Sequence, residues 1–146
     1  FYTFIQGLIK VTDIAFTRRE RILSLFYEEF QGYLREMLGD KCIFDYKDPI
    51  KDPSGKYPVD CYVKNDVPLF IFGLFNNDKC RDATITCLTY EKWGIPYTSI
   101  AIFENQEDIN KRVLARFSDV IEKQYSTLTS AKERLPDYLR KISILS

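Results

Sequence analysis

The sequence predicts an α/β domain, a three-layer sandwich in which helices cover both faces of a mixed central sheet. Three features point there. Residues 18 to 38 repeat apolar side chains at helical spacing, whereas residues 57 to 64 alternate apolar and polar side chains as a strand does. The run LFIFGLF, residues 69 to 75, is apolar on both faces of any strand it forms, so helices must lie on two sides of it. The order is helix, three-stranded meander, helix, strand, helix. Its last strand can be reached only by a crossover and is therefore parallel to the strand before it.

In chain order, residues 1 to 16 are apolar with short polar interruptions, and Phe4, Leu8 and Ile9 fall on one stripe of a short helix. The start at Phe1 rather than Met marks this segment as a link to an upstream domain, with the α/β domain spanning 17 to 146. Thr17 and Glu20 match a capping box, hydroxyl to the N3 amide and carboxylate back to the cap, and Gly39 supplies a stop after Leu38. Between them Ile22, Leu25, Phe26, Phe30, Tyr33, Leu34 and Met37 form the inward stripe. CIFDY, residues 42 to 46, reads as a strand. KDPIKDPSGK, residues 47 to 56, reads as a loop because of its prolines and glycine.

In the second strand Val59, Cys61 and Val63 should share one face and Asp60, Tyr62 and Lys64 the other, with Asn65-Asp66 turning the chain back. A third strand fills 67 to 75, a helix 78 to 93 ends at Gly94 and Pro96, and a fourth strand occupies 97 to 103. Asn105 then caps a helix whose apolar positions run from Ile109 to Leu128. A last short helix, 131 to 142, is interrupted near Pro136.

Lys plus Arg equals Asp plus Glu at 21 each, so the formal net charge is zero, unlike a dedicated nucleic-acid binder; any such binding has to be local. Arg18, Arg19 and Arg21, and again Lys111, Arg112 and Arg116, gather basic charge, but acids are interleaved and both read as solvated helix faces. The chain has no histidine, and Cys42, Cys61, Cys80 and Cys87 show no CxxC spacing, which argues against zinc and against Ser/His or Cys/His catalysis. The thiols read as small buried hydrophobes in a reducing, cytoplasmic setting. No apolar run approaches the roughly 20 residues that span a bilayer, so no membrane role is expected.

The element order, with YPVD at Tyr57 to Asp60, resembles the core and the first motif of the PD-(D/E)XK nuclease superfamily, the restriction-endonuclease-like fold, over residues 17 to 128. That resemblance implies metal-dependent phosphodiester cleavage. An Asp on the second strand and a Glu-x-Lys on the third hold Mg2+ or Mn2+, which polarises the phosphate and lowers the pKa of an attacking water. Asp60 matches the Asp. The third strand departs from the pattern, with neither acid nor lysine from Val67 to Phe75, and a single carboxylate is a poor site for a hard cation.

Substitutes would come from neighbouring elements. Asp78 and Lys79 open the next helix, where divergent branches of the superfamily carry a migrated lysine, and Glu29 stands on the inward stripe of the first helix, where some members add an acid. Lys64 shares the Asp60 face but lies about 13 Å along the strand. The candidates are therefore Asp60, Asp78 and Lys79 for catalysis and Asp60, Asp78 and Glu29 for metal binding, four side chains expected to converge on one cleft. Their plainer roles are a strand-edge carboxylate paired with Lys or Tyr for Asp60 and a helix N-cap for Asp78. Lys79 and Arg81 would then be a solvated helix start, and Glu29 the buried partner of an Arg or Tyr. Tyr57, Tyr62 and Tyr97 would stack bases if they line a groove.

The stretches GLIKVTDIAFTRRERILSLFYEEF, YPVDCYVKNDVPLFIFGLFNNDKCRDATIT and SIAIFENQEDINKRVLARFSDVIEKQ also resemble the C-terminal part of a two-domain bacterial and phage family of unknown function. The expected function is a nucleic-acid-associated domain, acting on DNA or RNA, with a degenerate nuclease-like site. The alternative is a protein-interaction or regulatory module that keeps the fold without catalysis, its partner another protein.

Overall fold

Phe26, Phe30, Leu34 and Leu38 are buried along one side of a helix, α1, which runs to residue 38. The structure, a computed structural model, describes residues 25 to 145. The segment 1 to 16, the capping box at Thr17 and Glu20, and Arg18, Arg19, Arg21 and Ile22 lie outside those residues. Gly39, at φ +58°, lets the chain leave α1 through one 3-10 turn. Three antiparallel strands follow, β1 (Cys42–Tyr46), β2 (Val59–Val63) and β3 (Leu69–Leu74). Helix α2 (Asn77–Lys92) crosses to β4 (Thr98–Phe103), which lies parallel to β3 with Leu69 beside Thr98 and Leu74 beside Phe103. Beyond come α3 (Lys111–Ser118), β5 (Lys123–Tyr125) and α4 (Leu128–Lys141), giving a five-stranded sheet in the order β1-β2-β3-β4-β5.

The three-layer α/β architecture is as expected. Every residue of β3 is buried. Ile71 and Ile102 pack with Phe30, Leu34 and Leu135 under α1 and α4, while Phe70, Phe72 and Phe103 pack with Cys87 and Phe117 under α2 and α3. Two apolar layers thus clamp one strand, which is why its sequence shows no alternation.

The C-terminal third differs from expectation. The helix expected after Asn105 is three pieces. Asn105 accepts from the Glu107 N–H and caps only a 3-10 turn, Gln106–Asp108, and Asn110 restarts the chain as α3 by accepting from the Arg112 and Val113 N–H groups. After Ser118 the free edge of β4 captures residues 123 to 125 as a parallel strand, Ile100 beside Lys123 and Ile102 beside Tyr125. That pairing satisfies backbone groups β4 would otherwise leave open and buries Tyr125. Helix α4 starts earlier than expected, where Thr127 accepts from the Ser130 N–H, and continues through Pro136. Proline there leaves one carbonyl without its helical donor, and the fully buried Leu135 and Leu139 on either side hold the helix together.

Strand β2 does not keep one face throughout. Val59 packs in the layer under α2 and α3, whereas Cys61 and Val63 pack in the layer under α1 and α4, so the strand turns over at Asp60. On β1, Asp45 takes a left-handed φ of +52° between the residues that pair with Cys61 and Val59. The sulfurs of Cys42 and Cys61 are bonded across this ladder. Separate buried thiols are found only for Cys80 and Cys87, so the support that four free thiols lent to a reducing setting is gone. Among the described residues no helix is long and apolar enough to cross a membrane.

Candidate functional site

The β2–β3 ladder pairs Val63 with Leu69 and Cys61 with Ile71 and then opens. Past that point the Gly73 N–H donates to Asp60 Oδ2 at 2.9 Å. Asp60 Oδ1 accepts from the Tyr27 hydroxyl at 2.7 Å and from Lys79 Nζ at 2.8 Å. The carboxylate, on a residue only 8% exposed, therefore fills the gap between two strands and takes donors from α1, β3 and α2. A buried charge is tolerated on these terms, with its oxygens bonded and a cation beside it.

Gly73 is the β3 residue bonded to Asp60. A Cβ built there would stand 3.0 Å from the Phe30 ring, tighter than side chains ordinarily pack, so α1 lies against bare backbone. The Phe75 ring centroid lies 5.9 Å from Lys79 Nζ and the Tyr27 ring centroid 5.5 Å. Two aromatic faces and one carboxylate thus hold the ammonium in place.

Lys79 is aimed by its helix start. Asn76, in extended conformation, caps α2 by accepting the Lys79 N–H at 2.8 Å, which sets the first turn from which the lysine reaches back to the sheet. Asp78 is not the cap; its side chain is 87% exposed and pairs with Arg81 at 3.1 Å. Glu29 is exposed, and so is Leu25, one turn before it, because the buried side of α1 runs through Phe26, Phe30, Leu34 and Leu38. Lys64 is exposed as well. Of the four side chains expected to converge, Asp60 and Lys79 meet, and Asp78 and Glu29 point to solvent. The plainer role weighed for Asp60, a carboxylate with a Lys or Tyr partner, is met by both at once, although β2 is an interior strand.

Two members of the site escaped sequence reasoning, Tyr27 and Gly73. A glycine inside an otherwise apolar strand does signal a close approach of backbone or ligand. Tyr27 carried no comparable signal. Its hydroxyl is pushed far above the ordinary tyrosine range, by burial first and then by the Asp60 charge, and so remains a donor.

A cleft of about 500 Å³ opens beside the pair, lined among others by Lys56, Tyr57, Phe72, Asp82 and Thr86. Its loop wall is stiffened by the buried Asp52, which accepts from the Lys56 and Tyr57 N–H groups at 2.8 and 2.9 Å. The donor set does not fit the divalent-cation site implied by the nuclease resemblance. Asp60 is engaged at both oxygens, an ammonium stands beside it, and among the described residues no three His, Cys, Asp or Glu side chains gather around one point. Comparison of the chain with protein-family models, with curated proteins and with solved structures finds no match.

Proposed function

We propose that this is a nucleic-acid-associated domain that holds a strand at the Asp60–Lys79 cleft without cutting it, a nuclease-like scaffold with an internal ion pair in place of a metal-binding triplet. The observation that carries the reading is the Lys79 ammonium fixed at 2.8 Å from Asp60, both of them lining a cleft, with the Gly73 N–H bonded to the same carboxylate. The lysine side chain keeps 29% of its surface, so N–H donors not used by Asp60 remain for a phosphate. Lys56 and Tyr57 on the loop wall add a second cation and an aromatic face.

Fluorescence anisotropy with labelled single-stranded DNA, duplex DNA and single-stranded RNA, run beside a cleavage gel in Mg2+ and in Mn2+, tests this. Binding of at least one nucleic acid is expected, weakened severalfold by Lys79→Ala, with all strands intact. Cleavage that disappears in Asp60→Asn, or no binding to any of the three, would overturn the proposal.

A second reading, a protein-interaction module, is favoured by two exposed apolar side chains on α2, Ile85 at 51%, which lines the same cleft, and Leu88 at 49%. It predicts that the chain self-associates in sedimentation velocity and that Ile85→Ser with Leu88→Ser returns it to monomer. A monomer at all concentrations would remove that support.

A further inference from the structure

The cleft beside Asp60 and Lys79 is a trough blocked at one end. Asp60 from β2 and Phe72 from β3 form its floor, the loop from Gly55 to Pro58 is one wall, and α2 is the other. Lys79, Asp82 and Thr86 fall at i, i+3 and i+7 on α2 and line that wall for about 10 Å. Past Thr86 the two walls meet. Tyr57, on the loop, sets its ring edge to face against Trp93 at the end of α2, with centroids 5.7 Å apart, and Trp93 packs in turn on the buried Tyr90 at 5.2 Å. A chain that enters beside Lys79 therefore cannot run on beyond Thr86.

Charge divides the trough in the same way. Lys79 stands at the end away from Tyr57 and Trp93, and Lys56, the other cation of the lining, is exposed on the loop wall. Asp82, one turn further in than Lys79, is exposed and forms no ion pair among the described residues. A nucleotide inside a strand carries a phosphate on both sides, so a strand laid along the trough would press one phosphate against the Asp82 carboxylate, and like charges held close repel. A terminal nucleoside carries a phosphate on one side only. The volume of about 500 Å³ is also that of a small-molecule site rather than of a groove for a passing strand.

We propose that the trough seats the end of a single strand, one nucleotide deep. Lys79 takes the last phosphodiester, the terminal nucleoside lies between Tyr57 and α2, and Asp82 selects an end that finishes in a hydroxyl over one that finishes in a phosphate. The ring of Tyr57 offers a stacking surface to any base, so the selection is for the end and not for the sequence. The inference rests on the reading of the domain as nucleic-acid-associated and names the part of the strand that it holds.

The test is a competition read by fluorescence anisotropy, with an internally labelled 40-residue thymidine DNA or uridine RNA as the bound probe. The competitors are the same strand, unlabelled, with hydroxyls at both ends, with a 5′-phosphate, with a 3′-phosphate, and closed into a circle. The strand with hydroxyl ends should compete about tenfold better than the circle, and a phosphate at one of the two ends should cost about fivefold, which identifies the end that is seated. Asp82→Asn should bring that phosphate-ended strand back within twofold of the hydroxyl-ended one, at an unchanged melting temperature. A circle that competes within twofold of the linear strand, a phosphate tolerated at both ends, or a penalty that Asp82→Asn leaves in place would overturn this inference and leave the proposed function standing. No binding of DNA or RNA by the unaltered chain would overturn both.

Discussion

Asp60 is where one residue does most for both stability and site geometry. Its two oxygens take three donors from three elements. Removing the side chain strands a backbone N–H and a tyrosine hydroxyl in the interior and frees a lysine that can partly reach water. Asp60→Ala should therefore cost about 2 to 3 kcal/mol in urea unfolding. Tyr27→Phe removes one donor and leaves the carboxylate two others, so it should cost about 1 kcal/mol. The reverse order of the two variants would mean that the carboxylate is not the hub described. At this scale the sequence was half legible. YPVD made Asp60 visible, and Lys79 followed from its place at a helix start. Tyr27 and Gly73 meet Asp60 across 33 and 13 residues of chain, and no local pattern records such distances.

Elements register the same facts as packing and caps. Gly73→Ala brings a methyl group to 3.0 Å from the fully buried Phe30 ring, which must shift by a few tenths of an ångström to admit it, and should destabilise by about 1 to 3 kcal/mol. Asn110 accepts two N–H groups at the start of α3. Asn110→Ala should cost about 1 kcal/mol in the same urea series. A cost near zero would show that Asn105 caps one longer helix after all. The sequence fitted that longer helix because Val113, Phe117, Ile121 and Tyr125 recur every four residues and all are buried. Two of them sit on α3 and two on the return to the sheet, and apolar spacing does not tell these apart. The bonded Cys42–Cys61 pair belongs here too: thiol titration of the unfolded, unreduced chain should find two free thiols, Cys80 and Cys87, rather than four.

For the molecule as a whole, the tyrosines set the alkaline limit. Burial first, then nearby acidic groups and hydroxyls, pushes Tyr46 and Tyr125 up to about 12, and Tyr27, Tyr90 and Tyr97 are raised further still. In the unfolded chain these groups ionise near the ordinary value of about 10. The folded state thus retains protons that the unfolded state releases, so stability is fully present below pH 10 and falls as the pH climbs toward 12 and beyond. Urea midpoints at pH 8, 10 and 11 should show a plateau and then a decline. A midpoint that holds steady through pH 11 would contradict the burial of these hydroxyls.

By itself the sequence determined the layers. An all-apolar strand needs two covers, alternation and helical spacing mark the pieces around it, and a crossover makes the next strand parallel; each of these is written in neighbouring residues. Only the tertiary structure decided what the layers do at their edges. It opened β2 from β3 so that a carboxylate could enter, laid Phe30 against Gly73, and recruited residues 123 to 125 to the free edge of β4. The physical reason is the same in each case. Burial of apolar faces depends on periodicity along the chain, whereas the partners of a buried charge or an open strand edge are chosen by what the fold brings close.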